Sequence, residues 1–454
     1  MKLSAPAAVV FVILPLLAGC GGSGGSSSSP GAKVYASAGC GGCHTLKAAG
    51  SKGQVGPDLD ELKPDQSTVE RQVRNGGNGM PSFRKKLSST QIEEVASFVS
   101  SSARSSGTSF AFKPDKTTLA ACKQSGKPFC YRQAFGNLTY REGPEKALAL
   151  LATDDSQLPA VHADCHQISH WIGRAGLVYY KHDPGQALSH GAMTCNSGYY
   201  HGVLQVALAG LPRNVVVKKS QHLCSAPAVN TEEFLLYQCV HGLGHGLMIY
   251  SGDDLPWSLR TCHKLLTGFD RVSCTGGVFM QNLDTTMGTS RYLREKDPIY
   301  PCTAVAERDK VYCYLMVTSR INTLDGYNWR KTAAWCRRSE PGWVQTCFES
   351  YGRDASGASE YDPAKTIGLC LEAGPDAGDC IYGAARDFGN NYAGGPEASR
   401  FCAAAAARFR PRCYEGIGTI LGAMHRYGPE RRTACNRATP ARYRDDCYRG
   451  AAIT

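Results

Sequence analysis

No segment of the sequence resembles a phosphate-binding loop, a dinucleotide-binding fingerprint or a nucleophile elbow. Basic residues nowhere form a run interleaved with aromatic residues, so the sequence offers no case for nucleic-acid binding. The N-terminal apolar run, 5–18, has 14 residues, too few to cross a bilayer as a helix. These absences leave electron transfer, metal chemistry and binding as the functions to consider.

Cysteine, by contrast, is abundant, at 21 of 454 residues. A cytosolic enzyme rarely carries so many, so the count indicates an oxidising compartment. The length allows about three domains. The formal net charge is +11, with an excess of arginine near the C-terminus. Such a surface could face anionic lipid or an acidic redox partner, although scattered charge is also typical of an ordinary solvated surface.

The first 30 residues predict export and a lipid tether. Lys2 precedes the apolar run, whose length suits a signal-peptide core. The run ends in Leu17-Ala18-Gly19-Cys20, which resembles the bacterial lipoprotein box, in which the cysteine becomes the lipidated N-terminus. A plain secretory signal is the alternative. We interpret residues 1–20 as a lipoprotein signal with Cys20 as the lipidation site, and residues 21–30 as a flexible glycine- and serine-rich tether. The chain is then expected on the extracytoplasmic side of the cell membrane or outer membrane.

The segment Cys40-Gly41-Gly42-Cys43-His44 has the spacing of a c-type haem attachment site. Cys40 and Cys43 would bond to the haem vinyl groups, and His44 would reach the iron because it directly follows the second anchor. A Cys-x-x-Cys pair alone could also be a redox dithiol or half of a zinc site. The trailing histidine and the predicted export favour haem.

Further motifs follow this segment in a regular order over residues 31–104. The haem motif is preceded by a short helical pattern and followed by the loops Gly56-Pro57-Asp58-Leu59 and Gly79-Met80-Pro81. An amphipathic helix comes last, introduced by Ser88 and Gln91 at capping-box spacing. In this order the segment resembles a small class I cytochrome c.

The resemblance implies one haem c, with His44 as the proximal ligand and Met80 as the distal ligand. It also implies that the Pro57 region packs beside His44. A methionine in the core is the alternative for Met80. Because both axial positions would be filled, the expected function is reversible one-electron transfer at a relatively high potential, with no open site for substrate.

From about residue 119 onward, cysteines recur in pairs. Two looser pairs, 122/130 and 165/195, come first. The second cysteines of the later pairs lie at 239, 274, 313, 347, 380, 413 and 447, at steps of 33 to 39 residues. Once the lipidated cysteine and the two haem cysteines are set aside, eighteen remain, and bonding within each repeat is the economical pairing.

Each repeat predicts two short helices. Pro396 and Pro429 stand where a helix begins, because the missing N–H costs nothing there. In the repeat around Cys402, residues 398–409 form a helical run that Pro411 ends, and residues 413–425 form a second run. Stacked hairpins of about 34 residues predict an α-solenoid.

The predicted fold class is therefore all-α. A cytochrome c domain over 31–104 is followed by a linker over 105–118 and by a disulfide-clipped array of α-hairpins over 119–454. The serine-rich residues 100–109 are also expected to form a linker. The tryptophan and tyrosine signature of tetratricopeptide repeats is absent. In shape the array bears a weak resemblance to the Sel1-like cysteine-rich repeats, from which no residue roles are carried over.

Ten of the twelve histidines lie between residues 162 and 263. His162, His166 and His170 share one helix face by their spacing, and the spacing of His241 and His245 repeats it. His201 lies six residues after Cys195, as His245 lies six after Cys239, which predicts equivalent positions in successive repeats. Imidazoles suit copper, iron and zinc. The candidate second metal site is His166, His170, His201, His241 and His245, with Met248 and Met280 as soft candidates nearby; helix packing is the alternative for each histidine.

Several functions remain open from the sequence. The favoured one is an anchored electron carrier that exchanges electrons with a redox partner protein while the array docks partners. The second is an oxidoreductase in which a non-haem metal at the histidines exchanges electrons with the haem. A binding solenoid with a haem sensor is a weaker third, because no motif names its ligand.

Overall fold

The computed structural model describes residues 29–453 apart from 54, 57, 63, 65, 77–79, 106–111, 126–129, 163, 193, 196, 228, 231–232, 252, 284–291, 295, 393–395 and 426. The predicted signal, Cys20 and the tether up to residue 28 lie outside the described residues, as do Pro57 and Gly79. Within the described ranges the chain is all-α, as predicted. The strands there are β1 (Thr45–Leu46) and β2 (Ser51–Lys52), which pair antiparallel with Thr45 opposite Lys52.

The described helices run from the N-terminal segment through the whole array. They are α1 (Pro30–Ser37), α2 (Leu59–Leu62), α3 (Gln66–Asn75), α4 (Ser89–Ser105), α5 (Leu119–Ser125), α6 (Cys130–Glu142), α7 (Pro144–Gln157), α8 (Pro159–His162), α9 (Cys165–Tyr179), α10 (Pro184–Ser189), α11 (Gly198–Leu208), α12 (Arg213–Ser220), α13 (Glu233–Ser251), α14 (Leu255–Cys262), α15 (Gly268–Leu283), α16 (Glu307–Leu324), α17 (Trp329–Cys336), α18 (Val344–Ala358), α19 (Pro363–Leu371), α20 (Ala377–Asn391), α21 (Pro396–Ala404), α22 (Arg410–Met424), α23 (Gly428–Ala438) and α24 (Arg444–Gly450).

The N-terminal unit is built on the packing of α1 against α4. Tyr35 meets Phe98 edge to face at 5.9 Å between ring centroids, and both lie in a core separate from that of the array. The capping box predicted for α4 is present: Gln91 N donates to Ser88 Oγ at 3.2 Å, and Ser88 N donates to Gln91 Oε1 at 2.9 Å. These two bonds satisfy N–H groups that would otherwise lack partners at the helix start.

The array consists of helix pairs, as the repeat pattern predicts. The first helix of a pair commonly begins at an acidic or amide N-cap, whose side chain accepts a backbone N–H. Such caps are Asp183 for α10, Asp254 for α14, Asn328 for α17 and Asp362 for α19. In the last four pairs a 3₁₀ turn precedes the second helix, at Pro341–Trp343, Gly374–Asp376, Ala407–Phe409 and Ala441–Tyr443.

All eighteen array cysteines are paired within their repeats. In the seven later repeats, each disulfide joins the second helix either to the first helix or to the loop before the second helix. In the two early pairs, the disulfide joins neighbouring segments. The nine bonds are Cys122–Cys130, Cys165–Cys195, Cys224–Cys239, Cys262–Cys274, Cys302–Cys313, Cys336–Cys347, Cys370–Cys380, Cys402–Cys413 and Cys435–Cys447. Closed loops of this size contribute about 3 kcal/mol in the chain-entropy model.

Three local expectations were wrong. The serine-rich stretch after residue 100 is helical as far as Ser105, because α4 continues along its apolar face. Pro411 begins α22 rather than ending the preceding run, since proline in the first helical turn removes no hydrogen bond. The run before it ends at Ala404 and not at residue 409. The second helix of that repeat begins at Arg410, three residues before the predicted start at Cys413.

Successive second helices cross at glycines. In four crossings, a Cβ atom on the glycine of either helix would lie inside the contact distance of a carbonyl oxygen in the other helix. The pairs are Gly173 with Gly202, Gly244 with Gly277, Gly352 with Gly383, and Gly418 with Gly450. At these points the two backbones touch, and only glycine permits that approach.

Within the described residues, no helix combines the length and the apolar character needed to cross a membrane.

We expect Gly352→Ala to destabilise the array. The new methyl group would collide with the Cys380 carbonyl, and overpacking of this kind costs about 1–3 kcal/mol. Gly357, in the same helix, is exposed, and a Cβ there meets no described atom within 4 Å. Gly357→Ala is therefore the matched control, with a gain of about 0.5 kcal/mol from reduced unfolded-state entropy. Denaturant unfolding of both variants tests this, and equal stabilities would contradict the backbone contact.

Candidate functional site

The haem-binding motif occupies a 3₁₀ turn between α1 and β1. Cys40 and Cys43 are free thiols, whereas all other cysteines in the described part of the chain are in disulfides. His44 is 9% exposed, and Met80 packs against the same small core as Cys40. Two free thiols, a buried imidazole and a thioether are the donor types that a c-type haem uses.

Backbone contacts hold His44 in place. The Tyr35 hydroxyl donates to the His44 carbonyl at 3.4 Å and contacts Ser51 Oγ at 3.1 Å. Burial raises the pKa of Tyr35 to about 12, so this hydroxyl keeps its proton. Gly56 lies so close to the His44 ring that a Cβ there would overlap it. The expected packing of the Pro57 region beside His44 falls on a residue outside the described ones, but the preceding residue, Gly56, does contact the ring.

Comparison with known families bears on this segment. Residues 27–99 match the family model described as Cytochrome C oxidase, cbb3-type, subunit III. The segment is a mono-haem cytochrome c domain. The cytochrome therefore carries a haem-based electron-transfer role, as the sequence predicted. Comparison of the chain with curated proteins and with solved structures gave no match, and the repeat array has no family assigned.

The second candidate site lies in the first half of the array, apart from the cytochrome. The structure brings together all five histidines that the sequence selected, from helices α9, α11 and α13. The Nε2 atoms of His166 and His170 are 3.0 Å apart, and those of His241 and His245 are 3.3 Å apart. His201 lies between these pairs and stacks on His245 with ring centroids 4.0 Å apart.

Hydrogen bonds at the far side of the rings orient two of these histidines. His166 Nδ1 donates to the Cys195 carbonyl at 2.9 Å, since a carbonyl oxygen can only accept. His245 Nδ1 donates to Gln281 Oε1 at 2.9 Å. In the neutral rings, both Nε2 atoms then carry a lone pair that points at the neighbouring imidazole. This is the usual arrangement of metal-binding histidines, whose other ring nitrogen is held by a carbonyl or amide.

Of the other three rings, His170 and His241 have hydrogen-bond partners, and His201 has a buried nitrogen without one among the described residues. His241 Nδ1 lies 3.4 Å from the Tyr237 hydroxyl, and hydrogen bonding by the Gln205 side chain to His170 and by the Ser273 backbone to His241 raises the pKa of these rings against the effect of burial. His201 Nδ1 is buried without a hydrogen-bond partner among the described residues. A buried polar atom without a partner is costly, so this nitrogen is a natural ligand position.

The helix crossings correct the predicted equivalence of the histidines. Gly202 faces the carbonyl of His170, and Gly277 faces the carbonyl of His241, so His170 and His241 occupy the same position in their helices. The carbonyl of Tyr199 in α11 lies against Gly173, as the carbonyl of the repeat cysteine Cys274 lies against Gly244. Tyr199 therefore occupies the position of a repeat cysteine. His201, two residues after Tyr199, is thus equivalent to His241, two residues after Cys239. The predicted match of His201 with His245 was wrong because Cys195 precedes α11 instead of lying within it.

Other sequence candidates lie outside the cluster. The helix face predicted for His162 is interrupted, because α8 ends at His162 and α9 begins at Cys165; His162 is exposed and pairs with Asp155 at 3.2 Å. Asp164, the only nearby carboxylate noted in the sequence, is bound by Arg132 at 2.5 Å. Met248 is fully buried in the apolar core, and Met280 is half-buried on α15.

A second grouping of ligand-type residues, Asp155 with Cys165 and Cys195, carries no metal-binding capacity. Both cysteines are joined in a disulfide, so neither offers a thiolate.

The buried rings are neutral at physiological pH. Burial lowers the pKa of His170 and of His201 well below the ordinary value, and the neighbouring imidazoles act in the same direction. Burial, followed by His245, lowers the pKa of His241 to about 3. Neutral imidazole is the form that binds metal ions.

Gln205 and Gln281 are site residues that sequence reasoning missed. Gln205 follows His201 by four residues, a spacing that places both on one helix face and could have revealed it. Gln281 comes from α15, and only the crossing of α13 with α15 brings it to His245, so the sequence contains no signal for it.

In metal-depleted protein, we expect the array to lose stability as pH falls from about 6.5 toward 3. The unfolded chain binds a proton at His241 near pH 6.5, whereas the folded chain binds it only near pH 3. Stability therefore rises with pH in this interval, by about 1.4 kcal/mol per pH unit for each fully shifted histidine. Thermal unfolding of His241→Gln should show a shallower pH dependence than the parent protein. An unchanged slope in His241→Gln would argue against a buried neutral ring.

Proposed function

We propose that this chain is a membrane-anchored, extracytoplasmic electron-transfer protein carrying one haem c with His44 and Met80 as axial ligands. The observation that carries the proposal is the cytochrome c domain at residues 27–99. The free thiols of Cys40 and Cys43 beside buried His44, with Met80 on the same core, support the ligand assignment.

Bound haem supplies one-electron chemistry between Fe(III) and Fe(II). Cys40 and Cys43 would hold the macrocycle through two thioether bonds, and the His44 imidazole and the Met80 sulfur would be the two protein ligands of the iron. With both bound, the iron would have no open site for substrate, and the neutral thioether of Met80 would favour Fe(II) and raise the potential. The Tyr35 hydroxyl donates a hydrogen bond to the His44 carbonyl and so holds the backbone of this residue.

Two features support an extracytoplasmic location. The array carries nine disulfides, which persist in oxidising compartments. The N-terminal residues 1–20 have the pattern of a lipoprotein signal, with Cys20 as the residue that would carry the lipid. A redox protein partner at the same membrane follows from a carrier role, and the +11 charge suits an acidic partner surface.

A second candidate function is an oxidoreductase in which a metal at the histidine cluster exchanges electrons with the cytochrome. The convergence of five imidazoles from three helices favours it. A contact between the two units adds support: Arg71 on α3 donates to the Ser251 carbonyl at 3.3 Å. Ser251 ends α13, the helix that carries His245 about 9 Å earlier along its axis.

We expect Met80→Ala to remove the low-spin His/Met spectrum of the cytochrome and to lower its midpoint potential. The physical reason is that a neutral thioether stabilises Fe(II), and alanine offers no ligand in its place. Optical spectra and redox titration of the purified chain measure both effects. Met424→Ala, at the end of α22, is the matched control and should leave both unchanged. A retained His/Met spectrum in Met80→Ala would reject Met80 as the ligand.

We expect Cys20→Ser to release the protein from the membrane fraction. A serine at this position cannot accept the thioether-linked lipid, and the 14-residue apolar run is too short to anchor the chain as a helix. Fractionation of cells producing the parent and the variant tests this, with the haem absorbance locating the protein. Membrane association that survives the substitution would mean that another part of the chain anchors it.

A further inference from the structure

We propose that the five histidines form two adjoining copper(I) sites, one made by His166, His170 and His201 and the other by His241 and His245. This inference rests on the second candidate function and specifies its metal, its ligands and its stoichiometry. Four steps of physical reasoning support it.

The first step is distance. Metal–nitrogen bonds to histidine are about 2.0–2.1 Å long, so two nitrogens on one ion lie about 3.5 Å apart in a three-coordinate site and about 4 Å apart in a linear two-coordinate one. The two Nε2 pairs are at 3.0 and 3.3 Å, so each would open by less than about 1 Å on binding an ion. One ligand nitrogen of His201 lies within 4.8 Å of those of His166 and His170. A small movement of the His201 ring would complete a three-nitrogen site.

The second step is the position of the protons. His166 and His245 donate through Nδ1, so each presents an Nε2 lone pair to its neighbour. Two lone pairs at this distance repel, and the metal-free pairs are stable only if His170 and His241 hold a proton between them. The Gln205 side chain is a hydrogen-bond partner of His170, and the Tyr237 hydroxyl, 3.4 Å from His241 Nδ1, can accept the ring proton of His241 on the far side. A metal ion can thus replace each shared proton while all the imidazoles stay neutral.

The third step is charge. Within the described residues the ligand group around His201 contains imidazoles and no carboxylate, and α9 and α11 contain no acidic residue. The charged side chains acting on the rings include Arg174 at His170 and Arg353 at His241, both cationic. The cost of burying an ion rises with the square of its charge, so neutral imidazole ligands beside these two cations favour a monovalent ion over a divalent one.

The fourth step is coordination number. The pair of His241 and His245 offers two nitrogens, and it adjoins the first site where the His245 ring stacks on that of His201 at 4.0 Å between centroids. Structural zinc takes four protein ligands and catalytic zinc usually three. Copper(I) is stable with two or three nitrogen ligands, and it is the ion among those suited to imidazole that carries a single charge. Both sites therefore match copper(I).

The test is metal stoichiometry in the full-length, haem-containing protein. The chain is loaded anaerobically with copper(I), excess metal is removed, and copper is counted against haem, which serves as an internal reference of one per chain. We expect two copper ions per haem, and an X-ray absorption edge of copper(I) with nitrogen ligands. In equimolar competition, copper(I) should exclude zinc from the cluster.

Variants assign the ions to their ligands. The double change His166→Gln with His170→Gln should leave one copper per haem, and so should His241→Gln with His245→Gln. His162→Gln is the matched control, because it has the i, i+4 spacing to His166 but lies outside the cluster, and it should keep both ions. If a double variant fails to fold by its thermal transition, chelator titration of the parent protein still counts the ions.

Each of the other possible results would contradict a stated part of the proposal. A single copper per haem that survives changes at His241 and His245 would remove the second site. Zinc that displaces copper(I) would refute the charge argument while leaving a metal centre in place. Absence of any bound metal in the parent protein would remove both this inference and the second candidate function, and it would leave the cytochrome carrier untouched.

Discussion

The second helices of the array touch backbone to backbone, and most of what this protein can do at the histidine cluster depends on that contact. At Gly173 with Gly202 and at Gly244 with Gly277, the absence of a Cβ lets a carbonyl of one helix rest on the other helix. Such a crossing has one register, because a shift along either helix would bring a side chain into the gap. Side chains near the crossing are therefore placed with little freedom.

The cluster depends partly on this register: the first crossing sets α9 against α11, whereas α13 packs on α11 through side chains such as Leu204. His170 and His241 are the residues whose carbonyls receive the crossing glycines, and His201 occupies the equivalent position in the helix between them. Three imidazoles at one position of three successive helices line up across the array. His166 lies one helical turn before His170, and His245 lies one helical turn after His241. The Nε2 atoms of these two pairs are 3.0 and 3.3 Å apart. The same close packing buries the rings and keeps them neutral.

The disulfides stabilise the array within each repeat, and the glycine crossings stabilise it between repeats. Each disulfide connects segments of one repeat, with sequence separations of 8 to 30 residues. The glycine crossings connect different repeats. Isolated hairpins of two short helices are marginal in water, so a repeat protein needs both the internal bond and the stacking of neighbours. The cytochrome has a core of its own, small enough that covalently bound haem would supply much of its apolar packing.

The sequence by itself determined the features that depend on local spacing. Cys40, Cys43 and His44 predict a haem attachment site, Ser88 with Gln91 marks the start of α4, and the cysteine period marks the repeats and their pairing, because each pattern involves residues that are a few positions apart or strictly periodic. It misplaced Pro411 and the continuation of α4, where a proline or serine is compatible with more than one local structure. It selected the five histidines but aligned His201 with the wrong partner. Only the tertiary structure decided which rings meet, since helices about 30 residues apart acquire their register through backbone contacts that no local pattern encodes.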